Sequence, residues 1–178
     1  LREYYSNQKI EFENYLNYYR ITSKFGEPRY KKSKRGGRKT KYHKGIDLVP
    51  KIEEDKKIKS FMEGKVFEIG YEKDGYGYFI ITEHKLENSF DNSKWVYCLY
   101  AHLTKIYVKK GDSINLNQKL AKIGKTGNAG YSHLHFETRI SEKKLENSRE
   151  YLNLDPVNPE SLINRFDEHN INLDKLIE

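Results

Sequence analysis

The sequence predicts a mainly β protein, an antiparallel sheet of sandwich or barrel-like form with an N-terminal helix and a short C-terminal helix. Three observations carry this. Between Ile21 and Ile140 the β-branched and aromatic residues fall in short runs separated by Gly, Asp, Asn and Lys, the texture of strands. Turn signals join the runs: DGYG at 74–77, KKGD at 109–112 and GKTGNAG at 124–130. The chain has 178 residues, enough for one domain with appendages, and although only 36% of it is hydrophobic, 15 Tyr and 8 Phe supply the bulky surface that disordered chains lack.

Taken in order, residues 1–20 contain neither Gly nor Pro, and Tyr5, Ile10, Phe12, Leu16 and Tyr19 recur at loose helical spacing, so a helical segment is expected before the main body. The main body, 21–160, holds the strand-like segments KYHKGIDLV, KIKSFM, KVFEIGYE, YGYFIITEH, KWVYCLYAHL, KIYVK, KLAKIG and SHLHFETRI. KLENSFDNSK at 85–94 reads as a longer polar loop between two of them. Beyond Ile140 the chain turns charged, Asp155-Pro156 and Pro159 fix a turn, and 161–178 reads as a helical tail. No apolar run approaches the roughly 18 residues of a membrane span. The opening LREYYSNQKIEF has neither an initiating Met nor a signal-type core, so the expectation is a cytosolic chain or, preferred here, a piece from which a targeting segment has been removed. Cys98 is the only cysteine, which excludes an internal disulfide and a cysteine-based zinc site; any metal has to be held by His and carboxylate.

The formal net charge of +7 is unevenly spread. The stretch from Arg29 to Ile46 holds nine Lys or Arg and no acid, leaving 24 basic against 26 acidic residues elsewhere. Pro28 and Gly36-Gly37 mark it as an irregular exposed connection. It is read either as a solvated loop or as a device for steering a polyanion, and it leads directly into His43.

Side chains at i and i+2 of a strand share a face, so His133 and His135 of SHLHFETRI project together while Leu134 and Phe136 turn to the opposite face. In HKGIDLV the same rule puts His43, Gly45 and Asp47 on one face, with Gly45 leaving room for a ligand or a backbone. Each pair is a weak signal alone; together they offer three or four nitrogen and oxygen ligands of the kind catalytic zinc takes. His102 stands in YCLYAHLTK, where Tyr100, His102 and Thr104 alternate against Leu99, Ala101 and Leu103. His84 and His169 sit at a strand end and in the charged tail, and both read as structural or solvated histidines.

The order H-x-x-x-D, then Y-x-H-L ahead of V-K-K-G-D, then a Gly-rich stretch leading into H-L-H-F-E, resembles the lysostaphin-type (LytM) zinc metallopeptidases that cut peptidoglycan peptides. The resemblance runs from ITSKFGEPR at 21–29 to Asp155-Pro156 and implies the duplicated hybrid motif fold of that family. It implies that His43, Asp47 and His135 hold Zn2+, and that His102 and His133 are the catalytic pair. Two departures stand out: VPKIEEDKKIKSF after Asp47 lacks the usual Gly-Thr-Pro, and Tyr131-Ser132 replaces Gly-Pro before His133.

Two neutral imidazoles and one carboxylate leave zinc with net positive charge and an open position, so it can lower the pKa of bound water towards neutrality. His102 and His133 would exchange protons with that water and the leaving amine, with Tyr100 as a candidate supporting donor. The expected partners are a peptidoglycan peptide and, through the basic loop 29–44, an anionic cell wall; the expected place is the bacterial cell envelope. The alternative is a catalytically inactive module of the same fold that binds cell wall or activates an amidase, which would be expected to have lost a ligand. A nucleic-acid-binding barrel would use the basic cluster and Tyr-rich strands but leaves the His and Asp order unexplained, so no nucleic acid partner is expected.

Overall fold

The longest strand among the described residues, β8 at Lys94–Ile106, shows how the sheet is built. Its run WVYCLYA is apolar at successive positions, which a strand tolerates only when both faces are covered. Val96, Cys98 and Tyr100 enter a large core with Ile46, Leu48, Leu134 and Phe136, while Tyr97, Leu99 and Ala101 enter a smaller one with Ile81, Leu145 and Tyr151. Burial is worth roughly 1.5–3 kcal/mol per large apolar side chain, so the two clusters clamp the strand from both sides.

The computed structural model describes residues 16–32, 38–52, 56–86 and 94–164. Before β8 the strands are β1 (Tyr19–Ser23), β2 (Pro28–Lys32), β3 (Arg38–Tyr42), β4 (Ile46–Pro50), β5 (Lys57–Lys59), β6 (Gly64–Glu72) and β7 (Gly77–Leu86). After it come β9 (Ser113–Ile114), β10 (Lys119–Ile123), β11 (Leu134–Ser141) and β12 (Pro156–Val157), with helices α1 (Ser148–Asn153) and α2 (Pro159–Asn164). The main sheet runs β1-β4-β11-β8-β7-β6-β9, with β10 bridging β5 and β8, and β12 beside β11. Each of these pairings is antiparallel. The mainly β, antiparallel expectation therefore holds. No helix among the described residues is long and apolar enough to cross a membrane.

Helix α1 lies over the smaller core. Asn147 caps it, its side-chain oxygen accepting from the amides of Arg149 and Glu150 at 3.1 and 3.2 Å, and Tyr151 is its buried residue. At its far end the buried Arg139 of β11 donates to the carbonyls of Tyr151 and Leu154, both at 2.9 Å, which ties the helix to the sheet.

Three expectations change. Tyr19 and Arg20, assigned to an N-terminal helix, open strand β1 against Val49 and Pro50, because Tyr19 has a place in the large core; the helix expected for 1–15 falls outside the described residues, as does 165–178 of the tail. The basic stretch is not an irregular connection. Its flanks pair as the β2–β3 hairpin from Pro28↔Tyr42 to Lys32↔Arg38. KIYVK contributes only Lys105 and Ile106 to a strand, and the rest turns through Gly111 at φ 88°.

Candidate metal centre

β11 lies between β4 and β8, and its register places His135 opposite Asp47 on one side and Ala101 on the other. Ile46 and Leu48 go to the large core, so Asp47 is left on the face of the smaller one, beside His135. His43 reaches the same spot from the loop before β4, where its backbone exchanges hydrogen bonds with Gly26 and Glu27 at 2.9 Å each. Gly45 makes that approach possible: a Cβ there would run into the carbonyl of Phe136. The expectation of space at Gly45 is met by backbone.

His102 arrives differently from the way strand alternation predicts. It adopts φ 61°, a left-handed conformation uncommon for non-glycine residues, and pairing slips around it between Tyr78 and Ile80 of β7 and between Lys122 and Ile123 of β10. This bulge turns His102 to the same side as Ala101 and returns Leu103 to the large core. Tyr100 therefore does not share a face with His102. It is fully buried against Phe136, at a ring separation of 5.1 Å, and its hydroxyl has no partner, which removes it as a supporting donor for the site.

His43, Asp47, His102, His133 and His135 are all buried. His43 Nε2, His135 Nδ1 and Asp47 Oδ1 lie 2.9 to 3.1 Å from one another. The two rings have their other nitrogens occupied: His43 Nδ1–H donates to the Lys24 carbonyl at 2.8 Å, and His135 Nε2–H to Glu137 at 3.0 Å. Three possible ligand atoms thus face one point, as a cation requires, and two imidazoles with one carboxylate are the donor set zinc takes. His102 and His133 repeat the pattern one step away. Their Nδ1 atoms are spent on the carbonyls of Thr126 (2.8 Å) and Tyr131 (2.9 Å), and their rings stand 4.7 Å apart. His133 Nε2 is 3.6 Å from Asp47 Oδ1, farther than the ligand atoms of the trio.

The electrostatics follow from burial and partners. Burial opposes charge on His135, but the hydrogen bonds to Asp47 and Glu137 outweigh it and hold the ring up at about 9. Burial likewise opposes the Asp47 carboxylate, and hydrogen bonds from His135 and His43 hold it far below its ordinary range. Burial lowers His102 to about 4 and lowers His133 as well, so both are neutral bases at neutral pH.

The sequence reading missed the part played by four residues. Glu137 is two residues beyond His135 on the same strand face, so the rule that paired His133 with His135 would have found it. Its carboxylate also accepts from the Tyr76 hydroxyl at 2.7 Å and from Arg139 at 2.8 Å. Tyr76 sits in the DGYG turn, where only a turn signal was legible. Arg29, counted with the basic loop, donates to Asp47 Oδ2 at 2.9 Å and to Ser23 at 2.6 Å. Tyr131, at the departure before His133, lies 4.5 Å from the His133 ring and shares a 2.9 Å hydrogen bond with Thr22. His84 is a core residue, and His169 lies outside the described residues.

Comparison with known proteins points the same way. The family described as Peptidase family M23 matches residues 41–148. The peptidoglycan DD-endopeptidase ShyB of Vibrio cholerae is 33% identical over 105 residues, 58% of this chain and 22% of that protein. Among solved structures, the catalytic domain of lysostaphin from Staphylococcus simulans is 26% identical with a TM-score of 0.57, covering 85% of this chain and 96% of that one. A zinc containing peptidase from Vibrio cholerae is 33% identical with a TM-score of 0.53, covering 71% of this chain and 35% of that one. The chain spans less than a third of the length of the full proteins it matches.

Proposed function

The chain belongs to peptidase family M23, and on that premise we propose that it is a zinc metalloendopeptidase that hydrolyses peptide bonds in peptidoglycan, in the cell envelope or outside the cell. The observation that carries the proposal is the convergence of one ligand atom each from His43, Asp47 and His135, with the other nitrogen of each ring placed on an oxygen elsewhere. His43, Asp47 and His135 would hold the metal. When bound, zinc supplies a Lewis acid that brings the pKa of water towards neutrality and polarises the scissile carbonyl.

The chain's own residues do the rest. Glu137 and the Lys24 carbonyl keep the two ligand rings in the tautomers that point Nδ1 of His135 and Nε2 of His43 inward. Arg29, on the outer oxygen of Asp47, holds that carboxylate in place. His102 and His133, neutral and with Nε2 unencumbered, accept the proton of the attacking water and pass it to the leaving amine; the imidazolium so formed donates to the developing oxyanion. The strained backbone of His102 fixes where that proton moves. The peptidoglycan substrate is supported by ShyB, named for that activity. The basic segment 29–44 ends at the site, and its exposed Tyr30, Tyr42 and Lys41 suit capture of an anionic wall that fades as salt rises.

Incubating the metal-loaded protein with purified sacculi and identifying released fragments by mass spectrometry tests the proposal. Peptide-bond cleavage that stops with a chelator and returns with zinc is expected. Intact sacculi in the presence of a fully loaded site would refute the enzyme reading.

A further inference from the structure

Strand β10 lies between β5 and the end of β8 and packs Leu120, Ala121 and Ile123 into the large core. Away from that core the three strands carry five exposed lysines: Lys57 and Lys59 on β5, Lys119 and Lys122 on β10, and Lys105 on β8. The register sets Lys122 directly opposite Lys57 on one side and Lys105 on the other, and Lys119 opposite Lys59. Like charges facing one another across strands oppose the pairing. None of the five has a carboxylate partner among the described residues. Instead, Lys119 Nζ stands 3.8 Å and Lys105 Nζ 5.3 Å from the ring centre of Tyr107, which holds the two ammonium groups close together. The fold thus presents a row of unneutralised cations, on strands other than those of the basic β2–β3 hairpin, and an external polyanion relieves their repulsion.

Resting on the peptidase reading above, we infer that this face is a docking surface for a phosphodiester polymer of the cell wall, a flexible chain with one negative charge per repeat. Three features select that occupant. All five cations are lysines, so the face reads charge and spacing through compact ammonium groups and not through the planar fork that arginine offers a single carboxylate. Residues i and i+2 of a strand are roughly 7 Å apart and neighbouring strands about 5 Å, a grid that a flexible polyol phosphate with a short repeat can follow. Tyr107 has Lys119 over its face, in the position a stacked nucleic acid base would take. Beyond Lys122, β10 runs on to Gly124, whose amide donates to the His102 carbonyl at 2.9 Å and which pairs with His133. The lysine face and the catalytic pair therefore share one stretch of chain, and a polymer held on that face keeps the active site at the wall.

The test titrates fluorescently labelled poly(glycerol phosphate) into the metal-loaded full chain and into two triple variants. One lies in the face, Lys57→Gln with Lys105→Gln and Lys122→Gln; the other lies outside it, Lys65→Gln with Lys73→Gln and Lys143→Gln. The first should bind about 10- to 100-fold more weakly at low salt, with the slope of log affinity against log salt flattened by about 2 to 3. The second should bind as wild type does. The Tm of the first variant should not fall, because facing like charges are removed, and its cleavage of a small soluble peptide should be unchanged. Equal weakening in both variants, or no binding of the polymer to wild type, overturns the surface whether or not the protein is an enzyme. Tighter binding of single-stranded DNA, or of vesicles of phosphatidylglycerol and phosphatidylcholine, overturns the wall polymer as its occupant. Sacculi bearing the polymer should be cut more slowly by the first variant than by wild type, and sacculi stripped of it at the same rate. Equal rates on polymer-bearing sacculi overturn the docking role and leave the peptidase reading standing. If metal-loaded wild type cuts neither, the peptidase reading fails, and the titration still decides the surface.

Discussion

Two buried histidines on opposite faces of the same sheet behave oppositely. His84 on β7 pairs with Val96 on the large-core side, and both of its nitrogens are closed: Nδ1–H donates to the Glu63 carbonyl at 2.8 Å and Nε2 accepts from the Thr82 hydroxyl at 2.7 Å. Burial lowers it to about 4, so it is a neutral, self-contained core residue. His135 on β11 closes only Nε2, on Glu137, and turns Nδ1 towards His43 and Asp47. Burial does not separate the two. What separates them is whether a nitrogen is left facing other lone pairs, and the site repeats that feature in His43, His102 and His133.

The largest expected effect breaks the open side of the comparison. His135→Ala should reduce hydrolysis of a peptide substrate to background, because it removes a ligand atom and not merely a proton carrier. One step smaller, His102→Ala and His133→Ala should keep the metal and lose about 100- to 10,000-fold in kcat, the usual worth of a positioned acid or base. Metal content measured alongside rate separates the two classes. Were His133→Ala to empty the site while His135→Ala stayed loaded, their roles would be exchanged.

Glu137→Gln tests the closure itself. It keeps the shape but weakens the acceptor that sets the His135 tautomer, so metal affinity should fall about 10- to 100-fold in a competition titration with a chelator. An unchanged affinity would mean that packing alone orients the ring.

The smallest effect on activity is expected at His84. His84→Gln should leave turnover within about 2-fold, since the residue touches nothing in the site, but it should alter acid stability. The folded pKa of about 4 lies below the ordinary 6.5. The unfolded chain therefore binds the proton first, and the stability that His84 preserves at neutral pH is lost as pH falls from about 6.5 to 4, amounting to about 3 kcal/mol. Urea unfolding of wild type and variant at pH 7 and pH 4.5 checks this: the stability lost between the two pH values should be smaller in His84→Gln. An equal loss in both proteins would show that His84 does not carry it.

These contrasts also mark how far the sequence reached. The strand texture located β6, β7, β8, β10 and β11, and the i, i+2 rule gathered His43 with Asp47 and His133 with His135; His102 joined them only through the family resemblance. Those signals are local, set by side-chain alternation along one strand. The β2–β3 pairing escaped because its residues are charged on both faces, and 28–30 and 40–42 at its open end are exposed, so no apolar alternation marks it. β1 escaped because Tyr19 follows Leu16 by three residues, a spacing that a helix reading absorbs. The misplacement of Tyr100 has a single cause: alternation fails across one left-handed residue, and the sequence does not announce φ 61° at a histidine. Tyr76 and Arg29 reach the site through pairings distant in the chain, which single-sequence spacing does not encode.

Metal stoichiometry tests the central claim most directly. Protein purified without added metal and analysed by inductively coupled plasma mass spectrometry should carry about one zinc per chain. His84→Gln and His133→Ala should carry the same, whereas Asp47→Ala and His135→Ala should carry close to none, because only the latter two remove a lone pair from the point where three converge. Wild-type zinc content in Asp47→Ala and His135→Ala would contradict the account.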